Sequence, residues 1–280
     1  MSLLYREPSS IEELWALLMS RDAGAVPLAG GTDLFPLSRR PQRPAMLVGL
    51  RRLSEMHGIM AVPGGVWIGA MTTLGGVERS GLVQARTPVL ADTMSKVGSV
   101  RIRNQATLGG NLARAEPAWD PPTTLITLDA VAVLAVPEGG HREVPVERLV
   151  TAGWRDTPKV ILGVRVPTSP PGTRTAHLKI RARSAAGGVL VAVAAAVRLD
   201  DDGRIARARL ALGAVGPNAS RALRAERSLV GRPPTSEAFE QAATLAAEDI
   251  DPTDDINGSA GYKREMARVW VRRILTETVA

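Results

Sequence analysis

No period runs through residues 98–118. Apolar residues recur there at neither the three-to-four spacing of a helix nor the alternate spacing of a strand, although patterned sequence stands on both sides. Unpatterned connections of that length are uncommon inside compact domains and usually carry function, so the stretch is a candidate site that the rest of the chain must hold in place. Its glycines sharpen the point. Thr107-Leu108-Gly109-Gly110-Asn111 lies inside it, and a second doublet, Ala29-Gly30-Gly31-Thr32-Asp33, follows a short strand-like run at Val26-Pro27-Leu28. Each doublet offers successive backbone amides with no Cβ in front of them and a hydroxyl alongside. That is the make-up of a concave nest for an anion, and two of them together could grip a diphosphate from both sides. A Gly-Gly pair also serves simply as a turn, as at Gly64-Gly65 and Gly139-Gly140, so the flanks decide. Around the second doublet stand Arg101, Arg103, Asn104, Gln105, Asn111 and Asp120, a polar set in an unpatterned segment.

Patterned segments set these turns in a mixed chain. Ser9-Ser10 ahead of Ile11, Leu14, Trp15 and Leu18 predicts an opening helix, with Ser10 and Glu13 spaced as a capping box and Gly24 as its stop. Residues 46–50 form a second short apolar run, and residues 59–62 and 66–69 flank Pro63-Gly64-Gly65 as a hairpin. Residues 72–80 and 87–97 read as helical, 131–136 and 142–146 as another hairpin, and 159–166 as a strand ending at Pro167. Thr168-Ser169-Pro170-Pro171-Gly172 is the best linker in the chain. Beyond it, strand-like runs at 176–183, 188–199 and 204–215, the last two joined by an Asp200-Asp201-Asp202-Gly203 turn, precede three helices near 220–230, 235–249 and 259–278. That is an antiparallel sheet covered by helices. No internal repeat is evident at periods of about 20–50 residues.

Several chemistries are excluded outright. No two of the 27 glycines stand two apart and none precedes a lysine, which removes the Gly-x-Gly-x-x-Gly dinucleotide fingerprint and the P-loop. The absence of cysteine removes disulfides, thiolate metal sites and iron–sulfur ligation from this chain. His57, His141 and His177 are isolated, so no metal ligand set is expected. The formal charge of +7 rests on 31 Arg and four Lys spread without a basic run, and nine aromatics are too few for a stacked-base platform, so no nucleic-acid partner is expected. The longest apolar stretch, residues 189–197, is far below the ~20 residues of a membrane span, and the start carries no signal pattern; the expectation is a cytoplasmic protein.

The two turns resemble the diphosphate-binding loops of a known family, the flavin (medium) subunits of molybdenum hydroxylases, the group of carbon monoxide dehydrogenase and xanthine dehydrogenase. Leu28-Ala29-Gly30-Gly31-Thr32-Asp33-Leu34 looks like the first loop, and Ile102-Arg103-Asn104-Gln105-Ala106-Thr107-Leu108-Gly109-Gly110-Asn111-Leu112 like the second. Ile68-Gly69-Ala70-Met71-Thr72-Thr73, Pro117-Ala118-Trp119-Asp120, Leu178-Lys179 with Arg183, and Tyr262-Lys263-Arg264 follow in family order. The resemblance implies a mixed α/β (α+β) fold: a two-lobed, PCMH-like FAD-binding region with lobes at 1–55 and 56–170, then a C-terminal α+β domain at 171–280. It implies FAD held at the diphosphate by Leu28, Ala29, Gly30, Gly31, Thr32, Asp33 and Leu34 and by Thr107, Leu108, Gly109, Gly110 and Asn111. Asp120 would accept from the ribose, Ile161 would pack against the flavin or adenine, and Lys179 would approach the flavin. No catalytic acid, base or nucleophile is identified.

The same resemblance implies partner chains: a molybdopterin-binding large subunit and a small subunit with two [2Fe–2S] clusters, forming a heterotrimer that pairs as a dimer and passes electrons through FAD to an external acceptor. A redox-inactive scaffold of the same fold and a free-standing flavin oxidase are the alternatives. Two departures stand out. Ser184-Ala185-Ala186-Gly187-Gly188 is small and uncharged where relatives often place an aromatic or acidic residue, and His177 stands where a Tyr is common.

Overall fold

The computed structural model describes residues 3–20, 24–34, 44–151, 160–181 and 188–280 of the 280-residue chain. Lys159, Arg183 and Ser184 to Gly187, named above, lie outside the described residues.

Three sheets organise the chain. The first is small and parallel, in the order β1 (Leu4–Arg6), β3 (Met46–Gly49), β2 (Ala25–Leu28), with α1 (Ile11–Met19) packed against it. The side chain of Ser10 accepts from Glu13 N at 3.2 Å, while Glu13 reaches back to the amide of Ser9 at 2.7 Å, so the expected capping box closes one residue early. The helix stops at Ser20 rather than at Gly24, which has φ +46° and leads into β2. Leu50 N donates to Leu28 O at 3.0 Å, closing the ladder at the carboxyl end of β2, where the first glycine turn begins. The carboxyl ends of parallel strands are where such sheets leave a crevice for a ligand.

The second sheet is antiparallel, in the order β4 (Ile59–Val62), β5 (Gly65–Gly69), β8 (Val160–Pro167), β6 (Val131–Ala135), β7 (His141–Pro145). Pro63 and Gly64, the latter at φ +73°, form the two-residue loop of its first hairpin. Between β5 and β6 the chain runs through six helices: α2 (Leu74–Arg79), α3 (Gly81–Arg86), α4 (Pro88–Ser95), α5 (Val100–Arg103), α6 (Leu108–Arg114) and α7 (Asp120–Thr127). The unpatterned stretch is therefore not structureless. It holds α5 and α6, which Ser99 and Thr107 cap by accepting from Ile102 N at 3.4 Å and Gly110 N at 3.1 Å. Helices of four and seven residues are too short to display a period: α5 buries no residue, and the large apolar side chains that α6 buries are only Leu108 and Leu112. A further short helix, α8 (Val146–Thr151), follows β7.

The third sheet, β12 (Ser220–Arg221), β11 (Ile205–Gly213), β10 (Val189–Leu199), β9 (Arg174–Arg181), is antiparallel and covered by α9 (Leu223–Leu229), α10 (Ser236–Glu248) and α11 (Ala260–Val279). Two apolar cores result. One is shared by the first two sheets and includes Leu14, Val48, Ile68, Leu108 and Val164; the other joins Val193, Leu210, Phe239 and Ile274 under the third sheet. Helix α7 and the residues just before it bridge them, Thr127 Oγ1 donating to Ala194 O at 3.3 Å and Ala214 N to Pro117 O at 2.8 Å.

Gly163 of β8 shows how tightly the shared core is closed. A Cβ there would stand 2.6 Å from Trp67 Cη2 and 2.7 Å from the backbone oxygen of Ile68. Gly163→Ala is expected to cost about 1–3 kcal/mol, the usual price of overpacking, seen as a lower urea midpoint; an unchanged midpoint would contradict the packing.

Candidate functional site

The two glycine turns meet. A Cβ on Gly30 would overlap the Gln105 carbonyl, lying 2.7 Å from its carbon and 3.1 Å from Ala106 Cα, and one on Gly110 would lie 3.8 Å from Ala29 Cβ. Gly31 has φ +70°, a conformation that costs an L side chain energy but not glycine. Leu34 N closes the first turn on Gly31 O at 3.2 Å, and Arg114, at the end of α6, reaches Asp33 with Nε to Oδ2 at 3.2 Å. So the first turn is tied to both ends of the second segment.

The amides divide unevenly between them. Leu108 N donates to Thr72 O at 2.9 Å, Gly109 N to Ala70 O at 2.8 Å, Gly110 N to Thr107 Oγ1 at 3.1 Å and Asn111 N to Thr107 O at 3.0 Å. Among the described residues, the amides of Gly30, Gly31 and Thr32 make no hydrogen bond. Free donors thus sit in the first turn, and the second contributes a fixed, glycine-bared surface. Gly109 is bare because a Cβ would come 2.5 Å from Ala70 Cβ.

What holds the second turn is a duplicated device that sequence reading missed. Thr73-Leu74-Gly75-Gly76 repeats Thr107-Leu108-Gly109-Gly110, and both open helices, Thr73 Oγ1 accepting from Gly76 N at 3.0 Å as Thr107 does from Gly110. The two lie antiparallel through a Thr73–Thr107 bridge, with Leu74 N donating to Ala106 O at 2.8 Å and Leu108 N to Thr72 O. The identical tetrapeptide was the available signal, too short to register as a repeat.

A second group gathers at Asp120, the first residue of α7, which is 2% exposed. Lys179 Nζ donates to its Oδ2 and, at 2.7 Å, to Lys96 O, the carbonyl that ends α4 and also receives Arg181 Nη2. Asp120 Oδ1 has no hydrogen-bond partner and lies 3.9 Å from His177 Nε2. Burial pushes the Asp120 carboxyl up against the opposing pull of Lys179, and pushes the Lys179 ammonium down against the pull of Asp120. Both ring nitrogens of His177 are sealed and unpartnered; burial, with the charges of Lys96 and Lys179, pushes its pKa down to about 3, so the ring is neutral. Lys96, Lys179, Arg181, Leu178 and Trp270 line an open cleft beside this group. Ile161 is sealed in β8 opposite Leu134, and its neighbour Leu162 accepts from Ala70 N at 2.8 Å, one residue from the support of Gly109. Leu28 ends β2 and is half-buried.

Free amides in one turn, a bared glycine surface opposite and a buried carboxylate with an unused oxygen thus lie together without any Gly-x-Gly-x-x-Gly fingerprint. Comparison with known proteins carries this further. The family model described as "FAD binding domain in molybdopterin dehydrogenase" matches residues 1–169, and "CO dehydrogenase flavoprotein C-terminal domain" matches residues 176–278. The carbon monoxide dehydrogenase medium chain of Hydrogenophaga pseudoflava is 33% identical over 275 residues, covering 97% of this chain and 95% of that one. Subunit alpha of the 6-hydroxypseudooxynicotine dehydrogenase complex of Paenarthrobacter nicotinovorans is 30% identical, covering 98% and 94%. Among solved structures, carbon monoxide dehydrogenase from Hydrogenophaga pseudoflava superposes with a TM-score of 0.92 at 33% identity, covering 99% and 97% of the two chains. Quinoline 2-oxidoreductase from Pseudomonas putida 86 gives 0.90 at 30%, covering 100% and 97%.

The chain belongs to the FAD-binding medium-subunit family of molybdenum hydroxylases. It is a flavin-dependent oxidoreductase subunit, and its cofactor is FAD. The residues present fit that group, since three unengaged amides, the bare Gly110 and the orphaned Asp120 oxygen are what a diphosphate and a ribose need. Among the described residues no helix is long and apolar enough to cross a membrane, and no group of three His, Asp or Glu is placed to hold a metal.

His177 makes acid stability testable. Its folded pKa of about 3 lies below the ordinary 6.5, so the unfolded chain takes up a proton that the folded chain refuses, and stability falls as pH drops from 6.5 towards 3. Each pH unit in that window costs up to about 1.4 kcal/mol. His177→Phe is expected to flatten this limb in a plot of melting temperature against pH. A limb as steep as the wild type's would show that another group carries it.

Proposed function

We propose that this chain is the electron-transfer subunit of a molybdenum hydroxylase, taking electrons from [2Fe–2S] clusters of a small partner subunit and delivering them to an external acceptor, with molybdopterin chemistry confined to a large partner subunit. The observation that carries this reading is the meeting of the two glycine turns, with free amides on the first and the second already fixed by its own hydrogen bonds. FAD, when bound, supplies the exchange between one-electron donors and a two-electron acceptor.

The chain's own residues then do the rest. Ala29 to Asp33 hold the diphosphate with amides and the Thr32 hydroxyl, closed from the other side by Thr107 to Asn111. Asp120 accepts from the ribose through Oδ1, the oxygen that Lys179 leaves free. Ile161, with Leu28 and Leu34, supplies apolar walls. Lys179 fixes a positive charge towards the ring, where negative charge grows on reduction, and its held geometry means no reorganisation is needed to place it. This assignment leaves the substrate's carbon chemistry to another chain.

The first test is the visible spectrum of the purified chain before and after excess FAD and gel filtration. Gly110→Leu is expected to abolish FAD retention while leaving the circular dichroism of the fold intact; retention at the wild-type level would overturn the diphosphate assignment. Lys179→Met is expected to lower the flavin midpoint potential and, by leaving Asp120 buried and unpaired, to cost about 3–5 kcal/mol of stability. An unaltered midpoint in a folded, flavin-loaded variant would refute the role of Lys179.

A further inference from the structure

Away from the flavin site, three arginines converge where the two cores meet. Arg198 of β10 stands directly opposite Arg207 of β11 in the ladder, and Arg209, two residues on, shares their face. Like charges set directly opposite across an antiparallel pair destabilise it unless something between them compensates. Asp129, two residues past the end of α7, does part of this, receiving Arg207 Nη2 at 2.5 Å and Arg209 Nε at 3.3 Å, and Arg209 Nη1 also lies 3.7 Å from Glu226, a carboxylate that Arg221 already holds. Arg198 gets nothing. Among the described residues its side chain makes no hydrogen bond or ion pair, and its Nε is sealed from solvent without a partner. Leaving a charged donor in that condition costs more than an ordinary unmade hydrogen bond.

The three guanidiniums and Asp129 line a cavity of about 50 Å³, walled on its other side by the linker that joins the two cores. Thr168 and Ser169 of that linker contribute hydroxyls that make no hydrogen bond among the described residues. A single water needs about 10–15 Å³, so the space holds a group of a few heavy atoms and not a nucleotide. Asp129 is the carboxylate in the cavity's lining, and even with Glu226 counted against Arg209 and Arg221, four guanidiniums against two carboxylates leave an excess of positive charge; the planar fork of Arg is suited to two oxygens of one anion.

We propose that this cavity is a binding site for a small tetrahedral oxyanion of the phosphate or sulfate class, which satisfies Arg198 and neutralises the Arg198–Arg207 pair. Because Asp129 belongs to one core, Arg198, Arg207 and Arg209 to the other and Ser169 to the linker between, the bound anion ties the FAD-binding region to the C-terminal domain.

The experiment is a melting series on the FAD-loaded chain, titrating inorganic phosphate, then sulfate, at constant ionic strength set with chloride. Wild type is expected to gain melting temperature saturably with either oxyanion and not with chloride. Arg198→Met is expected to melt at or above wild type in oxyanion-free buffer, since it removes the facing like charge. Its phosphate affinity is expected to be weaker by about tenfold or more, the worth of a charge-assisted hydrogen bond. A structural role for Arg198 predicts the reverse, a variant that melts lower in every buffer. Broadening of the phosphorus-31 resonance of phosphate by wild-type protein gives a reading that needs no variant. Equal stabilisation by chloride, an undiminished phosphate response in Arg198→Met, or no broadening would each overturn the proposal; the last is also what a cavity reserved for a partner's acidic side chain would give.

Discussion

A side chain at residue 30 would occupy the same space as the carbonyl of Gln105, and the site exists only because none is there. That contact is backbone against backbone, so no rotamer change relieves it. It brings the carboxyl end of a parallel strand from the first sheet onto the segment between α5 and α6, and the free amides of the first turn onto the bared surface of the second. The remaining local structure serves this approach. The duplicated Thr-Leu-Gly-Gly caps hold the second segment against residues 70–73, Gly109 lies against Ala70, and Arg114 draws Asp33 inward. A loop held only by its ends would have to order itself when the cofactor arrives; here most of the amides on one side are committed beforehand, which lowers the conformational cost of binding.

The polar group around Asp120 obeys a different constraint. Asp120, Lys179 and His177 are buried together, and in low dielectric the charged pair is favourable only while each partner keeps the other. His177 adds a neutral imidazole against the unused oxygen, at a distance too long for a hydrogen bond. The chain therefore has here a ring that its surroundings keep from taking up a second proton at any ordinary pH. The carboxylate's second oxygen stays unpartnered, because the neutral ring does not draw it in as an imidazolium would.

Legibility followed length and period. The capping box of α1, the Pro63-Gly64 hairpin, the Asp200 turn and the long helices near the C-terminus could be read because each carries either a local turn signal or several turns of apolar spacing. Short helices could not: α3, α5, α6 and α8 run four to seven residues, too few turns for an apolar face to repeat. The glycine turns were visible as composition, but not which of them had free amides. That depends on Thr72 and Ala70, which accept from Leu108 and Gly109 across sequence distances no local pattern reports. Lys96 escaped notice for the same reason. Its carbonyl, a group every residue has, receives Lys179 and Arg181, and its ammonium donates to the His177 carbonyl at 3.1 Å, a partner 81 residues away.

The placement of the two cores gives these pieces a common logic. The diphosphate turns belong to the first core, whereas Lys179, His177 and Arg181 lie on β9 of the third sheet, so a cofactor reaching from one group to the other must span the seam. The seam is held by the segment 120–129, in which α7 begins with Asp120 beside Lys179 and is followed, two residues past its end, by Asp129 at the arginine cluster. The helix thus has a carboxylate at its first residue and another just beyond its last, each paired with cations from the opposite core. Any shift of the C-terminal domain would break both sets of charge pairs together. The position of Lys179 relative to the glycine turns is accordingly set by the same helix that supplies Asp120, so the contact that pairs these two charges is also one of the contacts by which the two cores dock.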